Sequence, residues 1–236
     1  MLGTLMTATD YDIEHFGETA LLLRFGNTMD VQTSTRTCAA AAALFALPGI
    51  EETTPGYATT LVRFNPLHWA DSHELRRAIT RCLQKLETPA TAETMPCITL
   101  PVCYGGHAGP DLEAVAQHTG LKPEEVVRRH CQATYQVAML GFAPGFAYLL
   151  GMDEALATPR LDDPRIKVAA GSVGIAGGQT GIYPSELPGG WNLIGRTPRC
   201  LFNFEHNPPA LLQAGAQVRF DPIGVEQFQR LAGEAP

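Results

Sequence analysis

Hydrophobic and polar positions change their spacing along the chain, and the spacing predicts the elements. Thr19-Ala-Leu-Leu-Leu-Arg-Phe25 is a short apolar run stopped by Gly26-Asn27, which predicts a strand. Val31 to Leu47 is alanine-rich and closed by Pro48-Gly49, which predicts a helix. Tyr57 to Phe64 is rich in Thr, Val, Tyr and Phe and ends before Pro66, a second strand. Ser72 to Leu86 places Leu75, Ile79, Cys82, Leu83 and Leu86 on one helical stripe behind an Asp71-Ser72 cap. This alternation predicts a small α+β domain over residues 1–90.

Glu87 to Thr94 holds Pro, Ala and Thr with almost no bulky apolar residue, so a domain boundary is expected there. Residues 91–236 then form a second domain. Ile98 to Tyr104 predicts a strand ended by Gly105-Gly106. Pro110-Asp111 opens a helix with Leu112, Val115, Ala116 and Thr119 on one face and Gly120 as its stop. Pro123-Glu124-Glu125 opens another, with Arg128, Arg129 and His130 in its last turn, as the helix dipole prefers. From Ala133 onward Gly and Pro punctuate short apolar runs, the pattern of a mainly-β sandwich or barrel. Val218 to Phe220 reads as a late strand and Glu226 to Leu231 as a short terminal helix.

Composition narrows the function classes. Charged residues make up 17% of the chain and hydrophobic ones 45%, so the chain is globular, and a partner is expected to cover part of its sparsely charged surface. A net charge of −7 excludes a global basic footprint for nucleic acid. The longest apolar run, Cys38 to Leu47, has ten residues, too few to span a membrane. The N-terminus has neither the basic nor the apolar region of a signal peptide, so a cytoplasmic location is expected. The six cysteines form no C-x-x-C pair and are expected to be reduced and mostly buried.

Chemistry-bearing residue types concentrate between Met139 and Arg199, among many glycines and prolines. In Gly141-Phe-Ala-Pro-Gly-Phe-Ala-Tyr148, the aromatics Phe142, Phe146 and Tyr148 beside Pro144 suit either a pocket wall or barrel packing. Gly171-Ser-Val-Gly-Ile-Ala-Gly-Gly-Gln-Thr-Gly-Ile-Tyr-Pro184 resembles a phosphate cradle in composition, yet it matches neither a P-loop nor a nucleophile elbow. Ser172 is a weak nucleophile candidate there, and Gln179, Thr180 and Tyr183 are better placed to orient a polar ligand. In Pro188-Gly-Gly-Trp-Asn-Leu-Ile-Gly-Arg-Thr-Pro198, Arg196 near Trp191 suits a carboxylate or phosphate, with Arg165 adding local charge. His130 is either a structural histidine or a base at a helix end. The pair His68 and His73 lies off one helical face, and no metal-ligand set is evident.

These Gly- and Pro-rich motifs, with Pro101-Val-Cys-Tyr-Gly-Gly-His-Ala-Gly-Pro-Asp-Leu112 and Gly17-Glu-Thr-Ala-Leu21, resemble the KipI family over nearly the whole chain. That family is also called allophanate hydrolase subunit 1 or the B subunit of 5-oxoprolinase. Departures are Ala169 where the family commonly has proline, Gly215-Ala216 where it has Gly-Asp, and His107 where an acidic residue is frequent. The resemblance implies a small N-terminal domain followed by a cyclophilin-like β-barrel. It implies one component of an ATP-dependent 5-oxoprolinase that converts 5-oxo-L-proline to L-glutamate. Its implied partners are two further components, one KipA-like and one LamB/YcsF-like.

ATP would act at the level of that complex, because no ATP motif stands in this chain, and the active site is expected to be shared with the KipA-like partner. Catalytic candidates are His130, Gln179, Tyr183 and Arg196, and the substrate-contact set adds Phe142, Pro144, Phe146, Tyr148, Arg165, Ser172, Thr180 and Trp191. Two other readings come with the resemblance: an inhibitor of a sporulation-type histidine kinase, and a carboxyltransferase component of a urea carboxylase-like system. Prolyl isomerase activity is not expected, since fold does not carry function.

Overall fold

The computed structural model describes residues 11–86 and 97–233. The chain divides into two compact units, residues 1–95 and 96–236. The linker expected at Glu87 to Thr94 lies outside the described residues.

The first unit contains β1 (Asp12–His15), β2 (Ala20–Arg24), α1 (Val31–Phe45), β3 (Ile50–Pro55), β4 (Thr59–Phe64) and α2 (Ser72–Gln84). The strands form one antiparallel sheet in the order β1-β2-β4-β3. Asp30 caps α1 by accepting from the Thr33 amide at 2.8 Å, and Asp71 caps α2 through the His73 amide at 2.8 Å. Ala40 and Leu44 of α1, Leu75, Ile79 and Leu83 of α2, and Leu21, Leu23 and Val62 of the sheet share one core. Strands β1 and β3 carry no apolar run in the sequence because both are sheet edges with mostly exposed, polar side chains.

The second unit is a closed barrel of seven strands, ordered β10-β7-β6-β13-β5-β12-β9. These are β5 (Cys97–Tyr104), β6 (Tyr135–Leu140), β7 (Ala147–Leu150), β9 (Ser172–Ala176), β10 (Gln179–Ile182), β12 (Asn192–Arg196) and β13 (Gln217–Pro222). All neighbours pair antiparallel except β13 with β5, which run parallel and join the unit's first strand to its last. A separate ribbon pairs β8 (Arg165–Val168) with β11 (Leu187–Gly189). Helices α3 (Leu112–Thr119) and α4 (Pro123–Gln132) add Val115, Ala116 and Val126 to the barrel core, and α5 (Val225–Gly233) ends the unit. Gly120 stops α3 in the left-handed region at φ 70°.

None of the six cysteines forms a disulfide among the described residues, and only Cys103 is buried. Cys97 opens a strand and Cys200 lies in a loop, so both are exposed, contrary to the expectation of mostly buried thiols. Among the described residues, no helix is long and apolar enough to cross a membrane.

Candidate functional site

The barrel wall formed by β7, β10, β9 and β12 has two faces, because alternate residues of a strand point to opposite sides. Ala147, Leu149, Val173, Ile175, Ile182 and Ile194 join the interior core. Phe146, Tyr148, Ala176, Tyr183, Trp191 and Leu193 form a second cluster, to which the β8–β11 ribbon adds Val168 and Leu187. Phe146 is the hub of that cluster. Its ring meets Tyr183 at 5.2 Å and Trp191 at 5.7 Å, both edge-on, Tyr148 at 4.8 Å, and Phe142 at 5.4 Å.

The glycines of the β9–β10 hairpin make this possible. A Cβ on Gly181 would stand 3.0 Å from the Trp191 ring and 3.3 Å from the Phe146 ring. One on Gly174 would stand 3.0 Å from Trp191 Cβ. The stretch whose composition resembles a phosphate cradle is therefore a bare floor for aromatic rings. Its residues pair in the barrel ladder, which turns their amides away from any anion.

A charged group borders the aromatic cluster. Asp111 is buried; Oδ1 accepts from Arg165 Nη2 at 2.6 Å and Oδ2 from the Leu193 amide at 2.7 Å. Asp111 stands at the start of α3 but, with both oxygens taken, makes no side-chain cap on the helix. Sequence reasoning missed its role, and only the pairing of β8 with β11 brings Arg165 to it. Arg165 Nη1 is buried without a hydrogen-bond partner among the described residues. It holds donors that suit an anionic or carbonyl oxygen. Burial raises the Tyr148 and Tyr183 phenols above the usual range, offset only in part by Arg160 at Tyr148 and by the Trp191 backbone and Arg160 at Tyr183.

His130 and Thr180 lie on the inner side. His130 is fully buried and stacks on Phe220 with centroids 4.6 Å apart. Thr180 donates to the Gly174 carbonyl at 3.0 Å, so it accepts from His130 Nε2 at 3.0 Å. His130 Nδ1 then accepts from the Tyr104 hydroxyl at 2.8 Å, which accepts in turn from Cys131 Sγ at 3.5 Å. The bonds run in one direction and fix the Nε2–H tautomer. Burial lowers the His130 pKa to about 3, so the ring stays neutral. Of the two readings, a structural histidine or a base at a helix end, this burial favours the structural one, because the last turn of α4 rolls the ring inward onto Phe220 and Tyr135.

The remaining candidates do not converge. Ser172 is buried beside Arg196 in register, whereas Gln179 pairs with Ala176 at the far end of β9. The two ends are separated by roughly 13 Å along the strand. Arg196 donates from Nε to the Ala170 carbonyl at 2.7 Å, and its guanidinium lies 5.9 Å from the Phe228 ring of α5. Arg196 and Thr180 therefore point to different places, and Gln179 stands at the opposite end of β9 from Arg196. Phe142 and Pro144, by contrast, line an open groove of about 600 Å³ with Phe202, Pro208 and Pro209. Phe142 is 60% exposed and holds φ at 68°, a left-handed conformation that a non-glycine residue adopts at a cost. Among the described residues, no group of three or more His, Cys, Asp or Glu is placed to hold a metal ion.

Comparison with known proteins gives this arrangement a family. The family model described as carboxyltransferase domain, subdomain C and D, matches residues 11–212. The B subunit of 5-oxoprolinase from Bacillus subtilis (strain 168) is 40% identical over 237 residues, covering 95% of this chain and 98% of that protein. The protein of the same name from Escherichia coli O157:H7 is 43% identical over 209 residues, 87% of this chain and 93% of that one. The crystal structure of TTHA0988 shares the fold with a TM-score of 0.74 at 35% identity over 86% of this chain, and this chain spans 40% of that longer one. The chain belongs to the carboxyltransferase domain, subdomain C and D family, alongside the B subunits of 5-oxoprolinase.

Proposed function

We propose that this chain is the B subunit of an ATP-dependent 5-oxoprolinase that opens the lactam of 5-oxo-L-proline to give L-glutamate. The observation that carries the reading is the match to proteins of that name along 95% of this chain. A five-membered lactam resists hydrolysis at neutral pH, and coupling to ATP supplies the missing drive. The active site is shared with a KipA-like partner, and a LamB/YcsF-like partner completes the assembly in the cytoplasm. Three features support a shared site. The polar candidates face apart, Arg165 Nη1 keeps unused donors, and the groove beside strained Phe142 opens outward. The length of TTHA0988, of which this chain spans 40%, agrees with a module that works beside further structure.

In this reading Arg165, held by Asp111, receives a substrate oxygen, and Tyr148, Tyr183 and Trp191 shape the wall around it. The glycine hairpin does not suit a phosphate cradle, so no ATP step is assigned to this chain. The test is glutamate release from 5-oxoproline and ATP by the three co-expressed components, with this chain present and then omitted. Activity that persists without this chain overturns the proposal. The family description favours one second reading, a carboxyltransferase component, which requires transfer to or from a biotinylated carrier. Activity with such a carrier and none with 5-oxoproline would select it.

A further inference from the structure

The outer face of α2 carries an unusual row of basic side chains. His73, Arg77, Arg81 and Lys85 follow one another at intervals of four residues, and all four are exposed. Residues four apart are neighbours on a helix surface, so the row runs as a ladder with rungs about 6 Å apart over about 18 Å. Arg76 stands beside it, tied by Nη1 to the Ile13 carbonyl at 3.1 Å. Thus four of the chain's 17 Lys and Arg residues fall within ten positions, in a protein of net charge −7.

Among the described residues little offsets this charge. Glu74 approaches Arg77 at 3.9 Å, and neither Arg81 nor Lys85 has an ion-pair partner among the described residues. Like charges four apart on a helix repel and lower its stability. The helix cannot rotate to spread them, because Leu75, Ala78, Ile79 and Leu83 anchor the opposite face in the core. The same face lines a concavity of about 510 Å³ through His73, Arg76, Arg77, Thr80 and Arg81.

We infer that this ladder is a docking surface for an acidic segment of a partner protein in the assembly. The inference rests on the reading under Proposed function and adds to it a place and a chemistry. Length and period select the occupant. A single carboxylate or phosphate bridges two rungs, whereas an acidic helix repeats its carboxylates every four residues, at the same spacing of about 6 Å. The acidic charge of the whole chain weighs against a nucleic acid or an anionic membrane, whose field extends well beyond the row.

The experiment uses the full chain co-expressed with the KipA-like and LamB/YcsF-like partners, comparing wild type with R77E/R81E, R77Q/R81Q and R77K/R81K. Both arginines are exposed, so unchanged thermal unfolding of each variant certifies its fold. The expected result is association that weakens about tenfold or more in the Glu variant, less in the Gln variant and hardly in the Lys variant, with the difference shrinking as salt is raised. Association of the Glu variant equal to wild type overturns the inference. So does a selective loss of binding to duplex DNA or to phosphatidylserine-containing vesicles while the complex still assembles. If wild type forms no complex, the 5-oxoprolinase reading itself fails. If all variants assemble and release glutamate alike, only the ladder's role fails.

Discussion

The two faces of strand β10 use similar residue types for opposite ends. On the inside, Thr180 completes a hydrogen-bonded line through His130 and Tyr104 in which every buried polar atom has a partner. On the outside, Gly181 leaves bare backbone under Phe146 and Trp191, and at the border of that cluster Arg165 keeps one buried nitrogen unpartnered. A saturated polar network fixes structure, whereas an unsaturated one has capacity left for a ligand. The unpartnered donor thus lies with Arg165 beside the aromatic cluster, whereas His130 and Thr180 have their hydrogen bonds filled among the described residues.

The sharpest way to break this contrast is to empty the inner face. His130→Ala removes a fully buried ring and leaves Tyr104 and Thr180 without their partner, at an expected cost of about 3–5 kcal/mol in urea unfolding. A result near zero would mean that the network is not structural.

Acid should act through the same ring. Its folded pKa of about 3 lies below the usual 6.5, so the unfolded chain takes up a proton first as pH falls. The stability of neutral His130 is full above pH 6.5 and is lost progressively toward pH 3, by about 2 kcal/mol at pH 5. Urea titrations across that range should show the slope, and His130→Phe should flatten it.

On the outer face, Gly181→Val should cost about 1–3 kcal/mol by crowding Trp191, Phe146 and the Ala147 carbonyl. Gly178→Ala, in the same hairpin with nothing within 4 Å of its Cβ, should stay within about 0.5 kcal/mol. Equal effects on the melting temperature would refute the floor role of Gly181. Phe142→Gly relieves a left-handed backbone but gives up the edge-on contact with Phe146 and frees the unfolded chain, so these opposing terms should cancel to within about 0.5 kcal/mol in urea unfolding.

Periodicity made the major elements legible in the sequence. The stripe of Leu75, Ile79 and Leu83 is the buried face of α2, and the runs before Phe25 and Phe64 are the central strands. The edge strands were not legible, since Asp-Ile-Glu-His and Ile-Glu-Glu-Thr-Thr-Pro carry almost no buried side chain. Of the candidate site, the cluster of Phe142, Phe146, Tyr148, Tyr183 and Trp191 was visible as residue types, but its assembly was not. Glycine spacing alone cannot tell an anion nest from a floor for rings, because the difference lies in whether the amides are already paired. The Asp111–Arg165 contact links positions 54 residues apart and leaves no local signal.

The parallel seam between β5 and β13 bears on how the molecule is made. Cys97 pairs with Gln217 and Val102 with Pro222, so the unit's wall is sealed by strands from opposite ends of its chain. During synthesis, a nascent chain that stops before Gln217 leaves both margins of the wall without partners. Closure then has to await the emergence of β13, more than a hundred residues after β5, and its loop-closure entropy is recovered in a single step. A nonsense codon or a protease cut just ahead of β13 would therefore release an open, adhesive sheet.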